Sequence, residues 1–254
     1  MTGEPDSAAR SEDESRLQAM ADKIADIGAE MGLPFIAVSA DISDPDPMLD
    51  ANGVPFAESR FRWIDPDLVY WKDRSFALRS DVLRTCRLVA EPFYLMDGQA
   101  YSWRHINALE DVDLTKASKL YGMRSSVVCP CHLPLGVIGA IVWGSDTLIE
   151  ELPAFFKAHA EELHILALKF IATYRDMRLE RRTHLDEELT RREIQCLKWA
   201  AAGKTDAEIA VIVGISAPTV RFHLTNASRK LGVSGRTQAI HRATKLGYVG
   251  AVTA

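Results

Sequence analysis

The stretch "TDAEIAVIVGISAPTVRFHLTNASRKLG", residues 205–232, decides the fold of the C-terminal part of the chain. Two apolar-periodic segments flank Gly214-Ile215-Ser216, a glycine-containing turn of the length that joins the helices of a helix-turn-helix. Thr205 with Glu208 three residues later has the spacing of a capping box. Gly214 suits a helix end, Ser216 a second N-cap, and Pro218 a first helical turn, where a missing N–H does no harm. Working outward, Thr190 and Glu193 repeat the capping box, with Leu189 and Ile194 placed to close a hydrophobic staple over it. That helix is predicted to run to Ala202 and stop at Gly203. Gly232 ends the third helix, and a fourth is predicted over roughly 236–246, ending at Gly247. In the second helix Ile209, Ala210, Ile212 and Val213 are expected to face a core. In the third, Val220, Leu224, Ala227 and Leu231 share the buried face, and Pro218, Arg221, Phe222, Thr225 and Arg229 share the opposite one. The plain alternative for that second face is a solvated basic surface on a small helical bundle.

Charge separates the two readings. The chain of 254 residues carries a formal charge of -5, the wrong sign for gripping phosphates. From Leu189 to the end, however, ten basic residues face three acids, Glu193, Asp206 and Glu208, which gives +7 and leaves -12 on residues 1–188. Such asymmetry points to a nucleic-acid-binding module joined to an unlike domain. Arg221 sits early in the third helix, where recognition helices touch bases, and arginine is the commonest reader of guanine edges. Thr225, one turn on, can meet a base edge or a thymine methyl, and Phe222 lies between them. Lys204, Thr205, Thr219, His223, Arg229, Lys230 and Arg236 flank this face and suit phosphate contacts that set register.

Residues 189–249 as a whole resemble the four-helix DNA-binding domain of the LuxR family of transcription regulators. The matching residues include Leu189-Thr190, Arg192-Glu193, Trp199, Gly203-Lys204-Thr205, Glu208-Ile209-Ala210, Thr219-Val220, His223, Asn226, Lys230-Leu231, Val233 and Arg236. The resemblance implies helical recognition of double-stranded DNA, by a homodimer on a two-fold symmetric site. The Gly203-Lys204-Thr205 run implies the quorum-sensing branch.

The preceding part is read in pieces. The acidic start MTGEPDSAARSEDESR is expected to be a disordered tail over 1–16 and lacks the basic start and apolar run of an export signal, so a cytoplasmic chain is expected. No apolar run is long enough to span a bilayer. Leu17, Met20, Ile24, Ile27 and Met31 form a helical stripe, and residues 35–38 read as a strand. Helices are predicted over 76–89, 113–121 and about 148–178, and a hairpin joins strands 126–132 and 137–143. The order predicts an α/β sandwich, an antiparallel sheet flanked by helices, over 17–173, then a linker over 174–188.

Nine aromatic residues crowd between Phe61 and Trp103, either as plain core or as the wall of a pocket for a small amphipathic ligand. "EPFY" at 91–94 and "YGMRSSVVCPCHLPLGVIGAIV" at 121–142, with Gly122, Pro130 and His132, resemble the acyl-homoserine-lactone-binding domain of LuxR-type receptors. The resemblance places Trp63, Asp67, Trp71, Ser80, Asp81 and Ser126 at the ligand, and Tyr94 and Trp103 of the aromatic cluster are candidates beside them. At these positions the family pattern has Tyr for Trp63, Trp for Asp67, Tyr for Trp71, Asp-Pro for Ser80-Asp81 and Gly for Ser126. Ser80 offers a weaker, neutral acceptor than the family's aspartate, and ionised Asp67 has no donor to replace an indole N–H. These departures imply an orphan, or solo, receptor with a pocket remodelled for a signal other than the standard lactone.

Cys129-Pro130-Cys131-His132 has one residue between its cysteines and no second pair, so two small apolar residues on one strand face compete with a redox or metal sensor that would also draw on Cys196. A response regulator needs a receiver's paired acids, central aspartate and later lysine within repeated βα units, and that series is not found. No Gly-x-Ser-x-Gly elbow or phosphate loop points to an enzyme. No metal and no cofactor beyond the small-molecule signal is expected.

Overall fold

A computed structural model of the chain describes residues 4–44, 46–63, 80–110, 115, 122–178 and 188–250. The expected helix over 113–121, save Thr115, and the ligand candidates Asp67 and Trp71 lie outside the described residues. The chain divides into two compact units, Met1–Leu133 with Val137–Leu179, and Pro134–Gly136 with Glu180–Ala254.

The first unit holds α1 (Glu4–Glu30), β1 (Phe35–Ser39), α2 (Phe56–Ser59), α3 (Asp81–Leu88), β2 (Phe93–Met96), β3 (Gln99–Tyr101), α4 (Asn107–Glu110), β4 (Ser125–Leu133), β5 (Val137–Ser145) and α5 (Leu152–Arg178). Helix α1 takes in the acidic stretch expected to be disordered. Within it Arg16 pairs with Glu12 and Asp13, one turn back. Helix α5 likewise continues to Arg178, past the expected start of the linker.

The five strands form one antiparallel sheet in the order β1-β5-β4-β2-β3. The β4–β5 hairpin pairs Ser125 with Ser145 through to Leu133 with Val137. Strands β2 and β3 were not anticipated, because runs of four and three residues are too short to show alternation within an aromatic cluster. Pro130 sits inside β4 without breaking it. The pairing with β2 stops at Val128, so beyond that point a missing N–H forfeits no ladder bond. The Pro130 carbonyl accepts a hydrogen bond from His164 Nε2 on α5 at 2.9 Å.

Both faces of the hairpin are buried. One carries Val127, Cys129, Cys131, Ile141 and Trp143 against Leu17, Ala21 and Ile24 of α1 and Phe156, Leu163, Ala167 and Phe170 of α5. Trp143 is fully buried and donates its Nε1–H to the Ile24 carbonyl at 3.0 Å. The other face carries Val128, Ala140 and Val142 with Phe93 and Leu95 of β2, covered by Val82 and Cys86 of α3 and Leu109 of α4.

The second unit is all helical: α6 (Arg191–Ala201), α7 (Asp206–Val213), α8 (Ala217–Lys230) and α9 (Arg236–Lys245). Both capping boxes are complete, Thr190 with Glu193 and Thr205 with Glu208. Gly214 takes the left-handed conformation that ends α7, with φ 71°, and Ser216 caps α8. Leu189, Leu197, Ile209, Val220, Leu224, Ala227, Leu231 and Ala239 make the core. Ile212 departs from expectation: α7 is apolar nearly all round, and only Ile209 and Ala210 of it are buried, while Val211 and Ile212 stay exposed.

A β-carbon at Gly139 would lie 2.8 Å from Ile171 Cγ2 and 2.8 Å from the Ser39 carbonyl oxygen. The backbone oxygen belongs to a paired strand and cannot swing aside. Gly139→Ala is expected to cost about 1–3 kcal/mol of stability, read as a lower denaturant midpoint with the slope unchanged.

Candidate nucleic-acid interface and ligand-facing sheet

Helix α8 is set by its caps and its apolar stripe. Ser216 Oγ accepts from the Thr219 N–H at 3.3 Å, and Val220, Leu224 and Ala227 turn inward. The outward residues follow from the helical period: Arg221, Phe222 and Thr225 are exposed, the Arg221 side chain at 77% and Phe222 at 60%. The Phe222 ring leans on His223 edge-on at 5.7 Å.

The flanking cations divide into two groups that sequence could not distinguish. Lys204 is half-exposed, with Glu208 at 3.5 Å, and Arg229 is exposed. Lys230 and Arg236 are built into the fold. Lys230 Nζ donates to the Glu188 carbonyl at 3.0 Å and to Glu193 Oε2 at 3.1 Å, with 16% of its side chain exposed. Arg236 donates to Asp206 Oδ1 and to the Lys204 carbonyl, fastening the start of α9 to the start of α7. Thr205 and Thr219 also have local work: Thr205 Oγ1 caps α7, and Thr219 Oγ1 lies 2.8 Å from Ser216 Oγ. Lys230 and Arg236, expected as phosphate contacts, also have their charges matched inside the domain, and 37% of the Arg236 side chain stays exposed. Their partners lie 37 and 30 residues away in sequence, a separation that no local pattern reveals.

On the sheet, β4 alternates between the two faces. Val128 belongs to the face covered by α3 and α4, and Ser126, two residues back, shares it. Ser126 is fully buried between Leu95 of β2 and Gly144 of β5. Its Oγ has no hydrogen-bond partner among the described residues. Trp63 packs against the same cluster. Ser80 is buried at the start of α3, but its Oγ accepts from the Leu83 N–H at 3.4 Å, so it serves as the helix cap. The Asp81 side chain is 29% exposed, with Arg84 Nη1 at 3.9 Å.

Two of the expected ligand residues are not brought to this face. Tyr94 points to the other side of the sheet, where its ring packs against Phe156 at 4.9 Å and Tyr101 at 5.3 Å. Trp103 is 63% exposed, its ring beside the Arg104 guanidinium. The described members of the aromatic cluster are therefore split between two faces and the surface.

The cysteines are packing residues. Cys129 and Cys131 lie in the α1–α5 face and Cys86 in the other, all buried. Burial pushes the Cys86 and Cys131 thiols up to about 12, and Cys129 well above its ordinary value. The reactive thiolate is thereby disfavoured at these three positions. Among the described residues no three His, Cys, Asp or Glu side chains converge to hold a metal. Nor is any single described helix long and apolar enough to cross a membrane.

Residues 187–243 match the family model of bacterial regulatory proteins of the luxR family. The transcriptional activator VanR of Vibrio anguillarum is 36% identical over 133 residues, 50% of this chain and 53% of that protein. The putative HTH-type transcriptional regulator y4qH of Sinorhizobium fredii is 30% identical over 192 residues, 70% of this chain and 54% of its own length. The structure of SdiA in complex with octanoyl-rac-glycerol aligns over 99% of this chain and 100% of that one, at 20% identity and a TM-score of 0.48. The chain spans about half the length of the curated relatives it matches.

Glu193 and Lys230 give a direct test of the domain's internal electrostatics. Burial opposes charge on Glu193, but the Thr190 backbone N–H and Lys230 outweigh it and hold the carboxyl below its ordinary value. Lys230→Met leaves that carboxylate buried without its cation and is expected to cost about 2 kcal/mol at neutral pH. A group with a depressed folded pKa stabilises above its unfolded value and loses that contribution as pH falls through the folded one. Wild type and variant should therefore converge in acid, in denaturant titrations of the full chain from pH 7 downward.

Proposed function

We propose that the chain, whose residues 187–243 match the family model of bacterial regulatory proteins of the luxR family, is a ligand-responsive, DNA-binding transcription regulator of the quorum-sensing type, acting in the cytoplasm as a homodimer. The observation that carries the reading is the outer face of α8, where Arg221, Phe222 and Thr225 stand exposed above a formed helix-turn-helix core. Arg221 and Thr225 read base edges in the major groove, and Phe222 adds apolar contact beside them. Lys204, Arg229 and the N-termini of α7 and α8 meet the phosphates. Binding to a panel of duplexes at several salt concentrations tests this. Arg221→Ala is expected to lose roughly tenfold in discrimination between preferred and random sequence, with random binding little changed. Lys204→Ala should weaken binding to all duplexes and flatten the salt slope by about one. A chain with no sequence preference and no salt dependence would refute the reading.

The first unit takes the signal on the sheet face beneath α3, with Trp63 as its apolar wall and Ser126 Oγ as its polar anchor. A small amphipathic molecule suits an apolar face carrying one unmatched hydroxyl. Ligand then shifts the population of dimers able to place two α8 helices on DNA. An unpartnered buried hydroxyl costs about 1–3 kcal/mol. Ser126→Ala should therefore raise the melting temperature of ligand-free protein, by roughly 2–4 °C per kcal/mol recovered, while retaining less of the amphiphile found by mass spectrometry of organic extracts. A lower melting temperature would mean that the hydroxyl is already satisfied and is no ligand anchor.

A further inference from the structure

Asp206 is an acid in a domain read here as gripping phosphate. It is the first residue of α7, and its side chain is 21% exposed. Its two oxygens are divided between two arginines. Oδ1 accepts from Arg236 Nη1 at the start of α9, and Oδ2 accepts from Arg221 Nε on α8 at 3.4 Å. The three side chains, with Lys204 and Thr205, line one open depression where α7, α8 and α9 converge.

The geometry of the second contact matters more than its strength. An exposed ion pair at this distance adds little to stability. It does choose which guanidinium nitrogen is used. Nε, on the side of the fork, is held by Asp206, and no described residue takes Nη1 or Nη2. These two nitrogens form the end-on pair that can meet a guanine edge bidentately. An arginine side chain left to itself has rotamer entropy to lose on ordering. Asp206 removes part of that freedom before DNA arrives, because Arg236 in turn fixes Asp206.

We propose that Asp206 is a positioning residue that aims the Arg221 fork at the bases, exchanging some affinity for phosphate against discrimination between sequences. The proposal rests on the reading of α8 as the DNA-contacting helix. It also explains an acid on that surface: its negative charge repels the backbone of every duplex equally, whereas its effect through Arg221 is felt only where the matching base is present.

The test is a double-mutant cycle on the full-length chain. Asparagine has one acceptor oxygen in place of two. In Asp206→Asn the shorter and less exposed contact to Arg236 keeps that oxygen, which preserves the fold, and the amide NH2 is turned toward Arg221. The duplex selected by wild type from a randomised pool and a random duplex are titrated at one salt concentration. Asp206→Asn is expected to bind the random duplex more tightly and to lower the ratio of the two affinities roughly threefold to tenfold. Loss of charge alone changes both affinities together and leaves the ratio fixed. In an Arg221→Ala background, Asp206→Asn should leave the ratio unmoved. An unchanged ratio in the single variant, with wild type still discriminating, overturns the positioning role and leaves the DNA-binding reading standing. An equal drop in both backgrounds overturns it too, since Asp206 would then act other than through Arg221. Wild type that fails to discriminate overturns both. If thermal unfolding shows Asp206→Asn to be unfolded, Asp206→Ser supplies the same comparison.

Discussion

The constraint on which the first unit depends is that β4 must be covered on both faces. It lies between β5 and β2 in the middle of the sheet, and both sets of its alternating side chains are withdrawn from water. One covering is continuous. Helix α5 lays Phe156, Leu163, Ala167 and Phe170 along the sheet beside α1, and Trp143 ties strand to helix through the Ile24 carbonyl. The other is pieced together from short elements, eight residues of α3 and four of α4 among those described. A long helix packed against a sheet has few ways to yield, because its contacts are spread along many turns. A cover of separate short segments can yield locally, since each has few contacts to break. The unmatched Ser126 hydroxyl sits under that second cover, so the polar deficit and the adaptable packing occur in one place.

What could be read from sequence follows the range of each interaction. Capping boxes at Thr190 and Thr205, the Gly214 turn and the inward residues of α8 are all specified within a few positions, and each is present in the structure. The β4–β5 hairpin was legible for the same reason, its strands being joined by a tight turn through Leu135 and Gly136, both at positive φ. Tyr94 was not. Its membership of an aromatic-rich segment says nothing about which sheet face it takes. That is set by the register of β2 on β4, in which Tyr94 opposes Val127 and so follows it to the α5 side. Ser80 illustrates the converse. Aligned on a family's ligand-binding acid, it has been given to the backbone of α3, a role that Ser at a helix start always offers. The acidic N-terminal stretch reads as disordered by composition, yet from Glu4 on it lies in helix α1, where Arg16 pairs with Glu12 and Asp13 across a turn.

The charge balance of the second unit follows from the same local chemistry. A domain meant to lie on phosphates should carry no acids at all, since each weakens binding at long range. From Leu189 onward this one carries three, and every one stands in the first turn of a helix: Glu193 in α6, Asp206 and Glu208 in α7. There a negative charge meets the positive end of the helix macrodipole and the unsatisfied N–H groups, so it stabilises the helix that holds it. Helices α8 and α9 have no acid in their first turns, and α8 relies on the neutral hydroxyl of Ser216 instead. The difference has a physical reason under the proposed function. A carboxylate at the N-cap of α8 would stand beside Arg221, where DNA phosphates and base acceptors must approach, and would compete for the same guanidinium. Capping by charge is thus confined to the helices that support α8, and the helix that reads is capped without it. The one acid that reaches Arg221 does so from α7, side-on, with its other oxygen already committed to Arg236.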